Sequence, residues 1–166
     1  MIIDNGSGSI KVGFTATAAE GPSLEYLTVV GLPKQRPMMN GQASPEFYFG
    51  VDALRRKGIL KFTRPKLQST ITDWDDMQRL WVFALMELKT SPNRQPLFMT
   101  EQYCSPDEQK QQMYEQLFEE FKVPSLLVHS TAPLVLHAEG RMTGLVLECG
   151  AGVTNCCAVH DGAQIV

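Results

Sequence analysis

The sequence predicts an α/β domain with a mixed sheet and flanking helices. Two strand-like segments joined by a glycine-rich turn come first, and strand-like and helical segments alternate after them, which is the order typical of such a domain. The chain has 166 residues, of which 43% are apolar and 20% are charged. At this length, folding buries roughly two-thirds or more of the surface of the unfolded chain, which is enough for a substantial core.

The charge balance and the hydropathy pattern argue against two classes of partner. The chain has 15 Lys and Arg residues against 18 Asp and Glu residues, which gives a net charge of −3. A protein that binds the nucleic-acid backbone needs a basic excess to displace counterions. No stretch approaches the roughly 18 apolar residues of a membrane-spanning helix, and residues 1–6 lack the features of a secretory leader. We therefore expect no direct nucleic-acid contact, no membrane contact, and a cytosolic or nuclear location.

The four cysteines do not form a recognisable framework. No pair has the spacing of a metal-ligand motif, and adjacent cysteines in a strand point to opposite faces of the sheet. We expect reduced, mostly packed thiols rather than a zinc site or disulfides at Cys104, Cys149, Cys156 and Cys157.

The first third of the chain predicts strands followed by a loop-rich region. Apolar residues alternate in residues 10–15, after a turn rich in Gly and Asn at residues 5–8, and this pattern is typical of a hairpin with residues 1–4 as its first strand. Residues 27–30 are a candidate third strand. From residue 31 to 56 prolines and glycines interrupt every period, so we expect a loop-dominated excursion or small subdomain.

The middle of the chain predicts a long helix followed by a buried parallel strand. Thr72 or Asp73 can cap a helix whose first turn is acidic, and apolar residues recur at helical spacing as far as Leu88. Residues 91–93 stop this helix, and residues 96–100 form a short apolar run. We expect the apolar stripe of the helix to be buried, namely Trp74, Met77, Leu80, Trp81, Leu85 and Leu88.

The last third predicts two more helices and a second hairpin. Ser105 and Glu108 have the spacing of a capping box, and the helix that they start has an apolar stripe at Met113, Leu117, Phe118 and Phe121. A strand at residues 125–128 leads into a helix at residues 131–139, which Gly140 ends. Strands at residues 143–148 and 154–160 then flank a second glycine-rich turn.

Charged groups in two segments have alternative interpretations. Asp73, Asp75 and Asp76 could bind a metal ion, but we expect them to cap a helix and offset its dipole. Basic residues concentrate between residues 34 and 66. We expect a solvated face there, and contact with an acidic protein surface is the alternative. The basic residues of this segment are Lys34, Arg36, Arg55, Arg56, Lys57, Lys61, Arg64 and Lys66.

The two glycine-rich turns share one pattern. Each follows an acidic residue at the end of an apolar strand, Asp4 in the first turn and Glu148 in the second, and each leads into another strand. Glycines let backbone N–H groups approach a phosphate, a lysine such as Lys11 can neutralise it, and a carboxylate can hold Mg²⁺ through water. Two such turns facing each other would clamp the phosphates of a nucleotide.

An ordered set of motifs along nearly the whole chain resembles actin and the actin-related proteins. The motifs are DNGSGSIKVGF, KGIL, ITDWDDMQRLW, TE at residues 100–101, LFEEFKVPSLLV, AEGRMTGLVLECGAGVT and the closing HDG. The resemblance implies the actin-like ATPase fold, which is ribonuclease H-like. It further implies a first-lobe core at residues 1–30 and 67–139, a small inserted subdomain at residues 31–66 with a filament-contact loop near residues 37–44, and the start of a second lobe at residues 140–166.

The resemblance also implies a nucleotide site between the two turns. ATP or ADP would be the ligand, and Asp4 and Glu148 would hold Mg²⁺ through water. By resemblance, the residues that bind the nucleotide are Asp4, Gly6, Ser7, Gly8, Ile10, Lys11, Glu148, Gly150, Ala151, Gly152 and Val153.

The chain departs from the family pattern where hydrolysis takes place. Thr131 stands where the family has the Gln that positions the attacking water, and Asn155 stands where it has a water-ordering His. Ala151 replaces an acidic residue of the second turn, and Gln68 replaces an often-methylated His. Hydrolysis requires a water held in line with the leaving phosphate. We therefore expect weak or absent ATPase activity and assign no confident catalytic residue.

The chain is about half as long as family members, which predicts protein partners. We expect it to contact actin-like subunits, the missing second lobe or a larger cytoskeletal assembly, because unpaired strand edges and uncovered apolar faces invite partners. The leading hypothesis is an actin-related structural assembly protein of the cytoplasmic cytoskeleton. One alternative is a filament-forming Mg-ATP hydrolase, and another is a nuclear actin-related subunit of a chromatin complex.

Overall fold

The computed structural model describes residues 1–16, 21–34, 47–102 and 105–165. The predicted filament-contact loop near residues 37–44 and Cys104 lie outside these residues. In the part of the chain described, no helix has both the length and the apolar character needed to cross a membrane.

The described residues form thirteen strands and four α-helices. The strands are β1 (Ile2–Asn5), β2 (Ser9–Gly13), β3 (Leu24–Leu27), β4 (Val30–Pro33), β5 (Tyr48–Phe49), β6 (Leu60–Thr63), β7 (Lys66–Leu67), β8 (Thr70–Ile71), β9 (Leu97–Glu101), β10 (Leu126–Ser130), β11 (Gly144–Cys149), β12 (Thr154–His160) and β13 (Ala163–Ile165). The helices are α1 (Gly50–Arg55), α2 (Trp74–Glu87), α3 (Asp107–Glu115) and α4 (Thr131–Ala138).

A five-stranded mixed sheet forms the centre of the molecule. Its strand order is β10-β9-β1-β2-β3, with β2 antiparallel to both β1 and β3, and β9 parallel to both β1 and β10. The predicted first hairpin and the predicted parallel strand are therefore confirmed. This order brings the carboxyl ends of β1, β9 and β10 to one edge, which is where open α/β sheets bind ligands.

Helix α2 packs on this sheet and, as predicted, buries one stripe, although the two ends of that stripe are only half-buried. The buried members are Met77, Leu80, Trp81 and Leu85, and the half-buried ones are Trp74 and Leu88. The backbone N–H of Asp76 donates to Asp73 Oδ1 at 2.9 Å, which caps the helix. The indole of Trp81 is 1% exposed, makes edge-to-face contacts with Trp74 and Phe121, and donates from Nε1 to Asn5 Oδ1. The carboxylate of Asp76 is buried against Arg79 and Thr63, so the Asp cluster has a structural role.

Two further small sheets have apolar clusters of their own. Strands β5, β4 and β6 pack with α1 around Val29, Ala53 and Leu60. Strands β11, β12 and β13 form an antiparallel sheet whose inner face packs on α4, with Val146 and Val159 among the buried residues. The predicted second hairpin is confirmed, whereas β13 was not predicted. The proposed domain boundaries remain predictions.

For the first half of the chain, one expectation is wrong and one of two alternatives for another segment is not met. Residues 27–30 are not one strand, because Thr28 turns its N–H to Gly8 O and its hydroxyl to Gly6 O, so the chain leaves the central sheet there. Of the two alternatives for residues 31–56, the loop-dominated excursion does not fit the described part, since it includes β4, β5 and α1, and the small subdomain stays a prediction. The prediction missed α1 because the helix has only six residues and no side-chain cap.

Three expectations for the second half need correction. Ser105 does not cap α3, because its hydroxyl donates to Gln102 O and no side chain caps the helix. A π-helical turn at Gln116–Glu120 shifts the register after α3, and Phe118 is therefore 43% exposed instead of buried. Cys157 is buried as expected for a packed thiol, but Cys149 and Cys156 are exposed.

Candidate functional site

The two glycine-rich turns face each other across a cleft of about 680 Å³. Residues 4–9 and Lys11 line one side, and residues 148–151 line the other. The ends of β9 and α4 complete the cleft with residues 100–102 and Thr131. Turns that are about 140 positions apart in the sequence thus form a single concave site, and its size is within the roughly 300–1,000 Å³ of small-molecule sites.

The turns approach so closely that only glycine fits at two positions. A Cβ atom on Gly8 would lie 2.6 Å from the Cβ of Ala151, and one on Gly152 would lie 2.9 Å from Ser7 Oγ. The same Cβ on Gly152 would lie 3.1 Å from the backbone nitrogen of Gln68. The hairpin formed by β7 and β8 therefore packs against the point where the two turns meet.

Two hydrogen bonds from Thr28 hold the first turn on the side away from the cleft. The hydroxyl of Thr28 donates to Gly6 O at 2.8 Å, and its N–H donates to Gly8 O at 3.1 Å. In a planar trans peptide the N–H points opposite to the carbonyl. The N–H groups of Ser7 and Ser9 are consequently directed away from Thr28, and both residues line the cleft. This orientation suits an anion that accepts hydrogen bonds from the turn.

Asp4 is already engaged by protein groups. Thr100 donates its hydroxyl to Asp4 Oδ1 at 2.6 Å, and Lys11 Nζ lies 3.8 Å from Asp4 Oδ2. The antiparallel pairing of β1 with β2 places Asp4 directly opposite Lys11. The side chains of Asp4 and Lys11 are 42% and 45% exposed, so water screens this pair and we assign it little stability.

Glu148 is engaged in the same way on the other side of the cleft. Thr131 donates its hydroxyl to Glu148 Oε2 at 2.8 Å. Thr131 begins α4, so this bond links the start of the helix to the end of β11. Asn155 pairs with Glu148 across the sheet but does not line the cleft, and its buried Nδ2 has no hydrogen-bond partner within the described part of the chain.

Most of the predicted nucleotide-binding residues come together. Eight line the cleft and can present backbone or side-chain groups to a ligand: Asp4, Gly6, Ser7, Gly8, Lys11, Glu148, Gly150 and Ala151. Gly152 lies where the turns touch, and Val153 is not a lining residue. The side chain of Ile10 is fully buried in the main core, so it supports the first turn from below. Whether these residues bind nucleotide stays a prediction.

Lys66 is a site residue that sequence reasoning missed. Its segment predicts a solvated basic face, yet Lys66 is 6% exposed, and its Nζ donates to Asn5 O at 2.5 Å, directly behind the first turn. Burial lowers the pKa of Lys66 to about 8, while the nearby carboxylates of Asp4 and Glu101 act to raise it. A lysine after a proline in a loop-rich segment carries no sequence signal of burial.

A small polar cavity lies next to the cleft. Lys66, Glu101 and Lys110 line it, and it shares Asn5, Thr100 and Glu101 with the cleft. Glu101 Oε1 lies 3.1 Å from Lys110 Nζ, whereas its buried Oε2 has no hydrogen-bond partner among the described residues. The cavity has a volume of about 20 Å³, room for about one water molecule.

The carboxylates of the cleft are a poor match for directly held Mg²⁺. The ion requires near-octahedral oxygen ligands, yet one oxygen of Asp4 and one of Glu148 already accept hydroxyl hydrogen bonds. Within residues 1–16, 21–34, 47–102 and 105–165, no group of three His, Cys, Asp or Glu side chains could hold a metal ion. Water-mediated binding by Asp4 and Glu148 stays a prediction.

Comparison with protein families gives one match. The family model described as Actin matches residues 1–166, which is the whole chain. The match therefore includes both glycine-rich turns, the hairpin between them and the helix that carries Trp81.

Proposed function

Because the chain belongs to the actin family, we propose that it is an actin-related assembly protein that acts through protein contacts and binds, but hardly hydrolyses, a nucleotide. Proteins of this family generally bind nucleotide with Mg²⁺. We also propose the cytoplasmic cytoskeleton as its location.

The close apposition of the two turns is the observation that carries this proposal. Gly8 lies against Ala151 and Gly152 lies against Ser7, so the two loops form one seat rather than two separate turns. Backbone N–H groups directed into that seat, together with Lys11, suit the phosphate tail of a nucleotide. A ligand that bridges both turns would hold the central sheet and the β11-β12-β13 sheet together.

The groups in the cleft give little support to hydrolysis. Thr131 has a short side chain, and its hydroxyl donates to Glu148 rather than to a water in front of a phosphate. Ala151 lines the cleft with a methyl group, and Asn155 is not in the cleft lining. Nothing described there orients an attacking water in line with the leaving phosphate, which is the main requirement of phosphoryl transfer.

An apolar sheet face supports the role in assembly. Leu145, Leu147 and Ile165 lie on the side of the β11-β12-β13 sheet that faces away from α4, and they are 71%, 66% and 57% exposed. Water-exposed leucines in a row on one strand mark a surface that another protein element covers. We propose that an actin-like lobe or subunit covers this face.

In this proposal the nucleotide is a structural ligand. A ligand that binds only the folded state stabilises it by mass action, by about 2.7 kcal/mol at a concentration one hundred times its Kd. Because the ligand would contact both turns, it would add to the contacts that Gly8 and Gly152 already make between them.

The test combines binding with phosphate release. A fluorescent ATP analogue should bind the wild-type chain saturably, and Lys11→Ala should weaken binding roughly tenfold or more through loss of a charge-assisted contact. Lys61→Ala is the matched control, because Lys61 is exposed on β6 outside the cleft. Phosphate release should stay at the level of a protein-free blank. Absence of saturable binding would refute the proposal that the chain binds nucleotide. Phosphate release above the blank that Lys11→Ala abolishes would refute the proposal that the chain hardly hydrolyses it.

A further inference from the structure

We infer that Lys66 supplies the phosphate site with positive charge that a divalent cation would otherwise bring, so that this chain binds a nucleoside polyphosphate without Mg²⁺. The inference rests on the proposed nucleotide-binding function and adds a property of the same site. It concerns the dependence of binding on metal, which the family match does not decide.

The position of Lys66 places a fixed ammonium group behind the first turn. Its Nζ donates to the carbonyl oxygen of Asn5, the residue between Asp4 and Gly6. Lys66 belongs to the β7-β8 hairpin, which also packs on Gly152 of the second turn through Gln68. Within the protein a charge is screened much less than at the surface, so an ammonium here acts on both turns.

The charges around the cleft balance without a metal ion. Four carboxylates line it, and four basic side chains line the cleft or the small cavity beside it. The carboxylates belong to Asp4, Glu25, Glu101 and Glu148, and the basic groups belong to Lys11, Arg64, Lys66 and Lys110. A site that recruits Mg²⁺ through carboxylates needs an excess of negative charge for the ion to neutralise. Here that excess is absent, so an incoming polyphosphate meets resident cations.

The hydrogen bonds of the carboxylates also argue against a divalent cation in the cleft. Asp4 accepts from Thr100 and lies near Lys11, and Glu148 accepts from Thr131. Glu101 is paired with Lys110. A divalent cation entering among these groups would have to displace hydrogen-bonded partners and approach three lysines. The donor set thus favours a phosphate neutralised by lysine over one neutralised by metal.

A purely structural role gives a poor account of Lys66. A buried ammonium is costly because it leaves water, and a single carbonyl acceptor compensates for only one of its three donors. The carboxylates of Asp4 and Glu101 offset only part of this cost, because the pKa of Lys66 still falls to about 8. An apolar side chain of similar length would fill the space on β7 without that cost. The ammonium is therefore expected to act on something that the cleft binds.

The experiment compares ATP binding in excess EDTA and in excess MgCl₂ by isothermal titration calorimetry. The wild-type chain should bind ATP in both buffers with Kd values within roughly threefold of each other. Lys66→Met should weaken binding in EDTA roughly tenfold or more, since one unit charge near the phosphates is lost, and MgCl₂ should restore part of it. Lys61→Met should behave as wild type. Inorganic tripolyphosphate should compete in EDTA, which places the effect at the phosphates.

Each outcome separates this inference from the proposed function. Binding by the wild-type chain only in MgCl₂, or equal binding by Lys66→Met in EDTA, would overturn the inference and leave nucleotide binding standing. No binding in either buffer would overturn the proposed function itself. The wild-type comparison needs no variant, so the inference stays testable if Lys66→Met fails to fold.

Discussion

Replacing the buried lysine should change how the stability of the protein depends on pH. Lys66→Met removes an ammonium whose pKa burial lowers from 10.5 to about 8. Between pH 8 and pH 10.5, Lys66 keeps its proton in the unfolded wild-type chain, whereas Lys66 of the folded chain releases it. Folding therefore releases a proton in this window, and the stability of the wild-type chain rises with pH there.

The magnitude follows from the difference between the two pKa values. One pKa unit corresponds to about 1.4 kcal/mol, so the charged lysine costs the folded state about 3 kcal/mol at pH 7, a cost that is lost as the pH rises from 8 towards 10.5. Lys66→Met lacks this titration. The unfolding free energy of Lys66→Met minus that of the wild type should therefore fall by about 2 to 3 kcal/mol between pH 7 and pH 10.

Urea unfolding followed by far-ultraviolet circular dichroism measures this difference. All other titratable groups are the same in both proteins, including Tyr26, whose pKa burial raises. Their contributions to the pH dependence of stability therefore cancel in the difference. The variant lacks the hydrogen bond to Asn5 O at every pH, and any change in that bond as Lys66 loses its proton is already part of the shifted pKa. Lys61→Met, at an exposed position of β6, serves as control and should differ from wild type by an amount that does not change with pH. A difference for Lys66→Met that is equally flat would refute the burial of the ammonium behind the first turn.

Three further predictions test the site and the core. Gly8→Val should weaken nucleotide binding roughly tenfold, because its side chain would collide with Ala151, whereas Gly58→Ala, which has open space around it, should bind like wild type in the same fluorescence titration. Trp81→Ala should lower the free energy of unfolding by about 3 to 5 kcal/mol, since it empties a buried site; a loss below about 1 kcal/mol in urea titrations would contradict the packing. Thr131→Gln should raise phosphate release above that of wild type, because Thr131 lines the cleft and the longer amide side chain can order water there, and an unchanged rate would show that other groups limit hydrolysis.

The family and the α/β fold were predictable because their signals are local or ordered along the chain. The glycine-rich turns, the Asp73 cap and the stripe that ends in Leu88 each follow from a few neighbouring residues. The family match over the whole chain and the mixed sheet confirm the actin-like prediction. The alternation of Cys156 and Cys157 between the two faces of β12 was likewise predictable from the period of a strand.

The errors arose where tertiary contacts compete with local preference. Thr28 leaves the sheet because the carbonyls of Gly6 and Gly8 offer it hydrogen bonds. Ser105 donates to Gln102 instead of capping α3. The π-helical turn moves Phe118 to the surface although its spacing suits the buried stripe. In each case the deciding partner or register change is not visible in the surrounding sequence.

The parts of the cleft can be read from the chain alone: two turns with glycines at defined positions, an acidic residue before each, and Lys11 beyond the first. The contact of Ser7 with Gly152 and the burial of Lys66 behind Asn5 become visible only in the folded molecule. Backbone conformation depends mainly on neighbouring residues, whereas burial and electrostatic environment depend on whichever elements pack around a group. The number and kind of charges could be read from the chain, but their balance at one site required the fold.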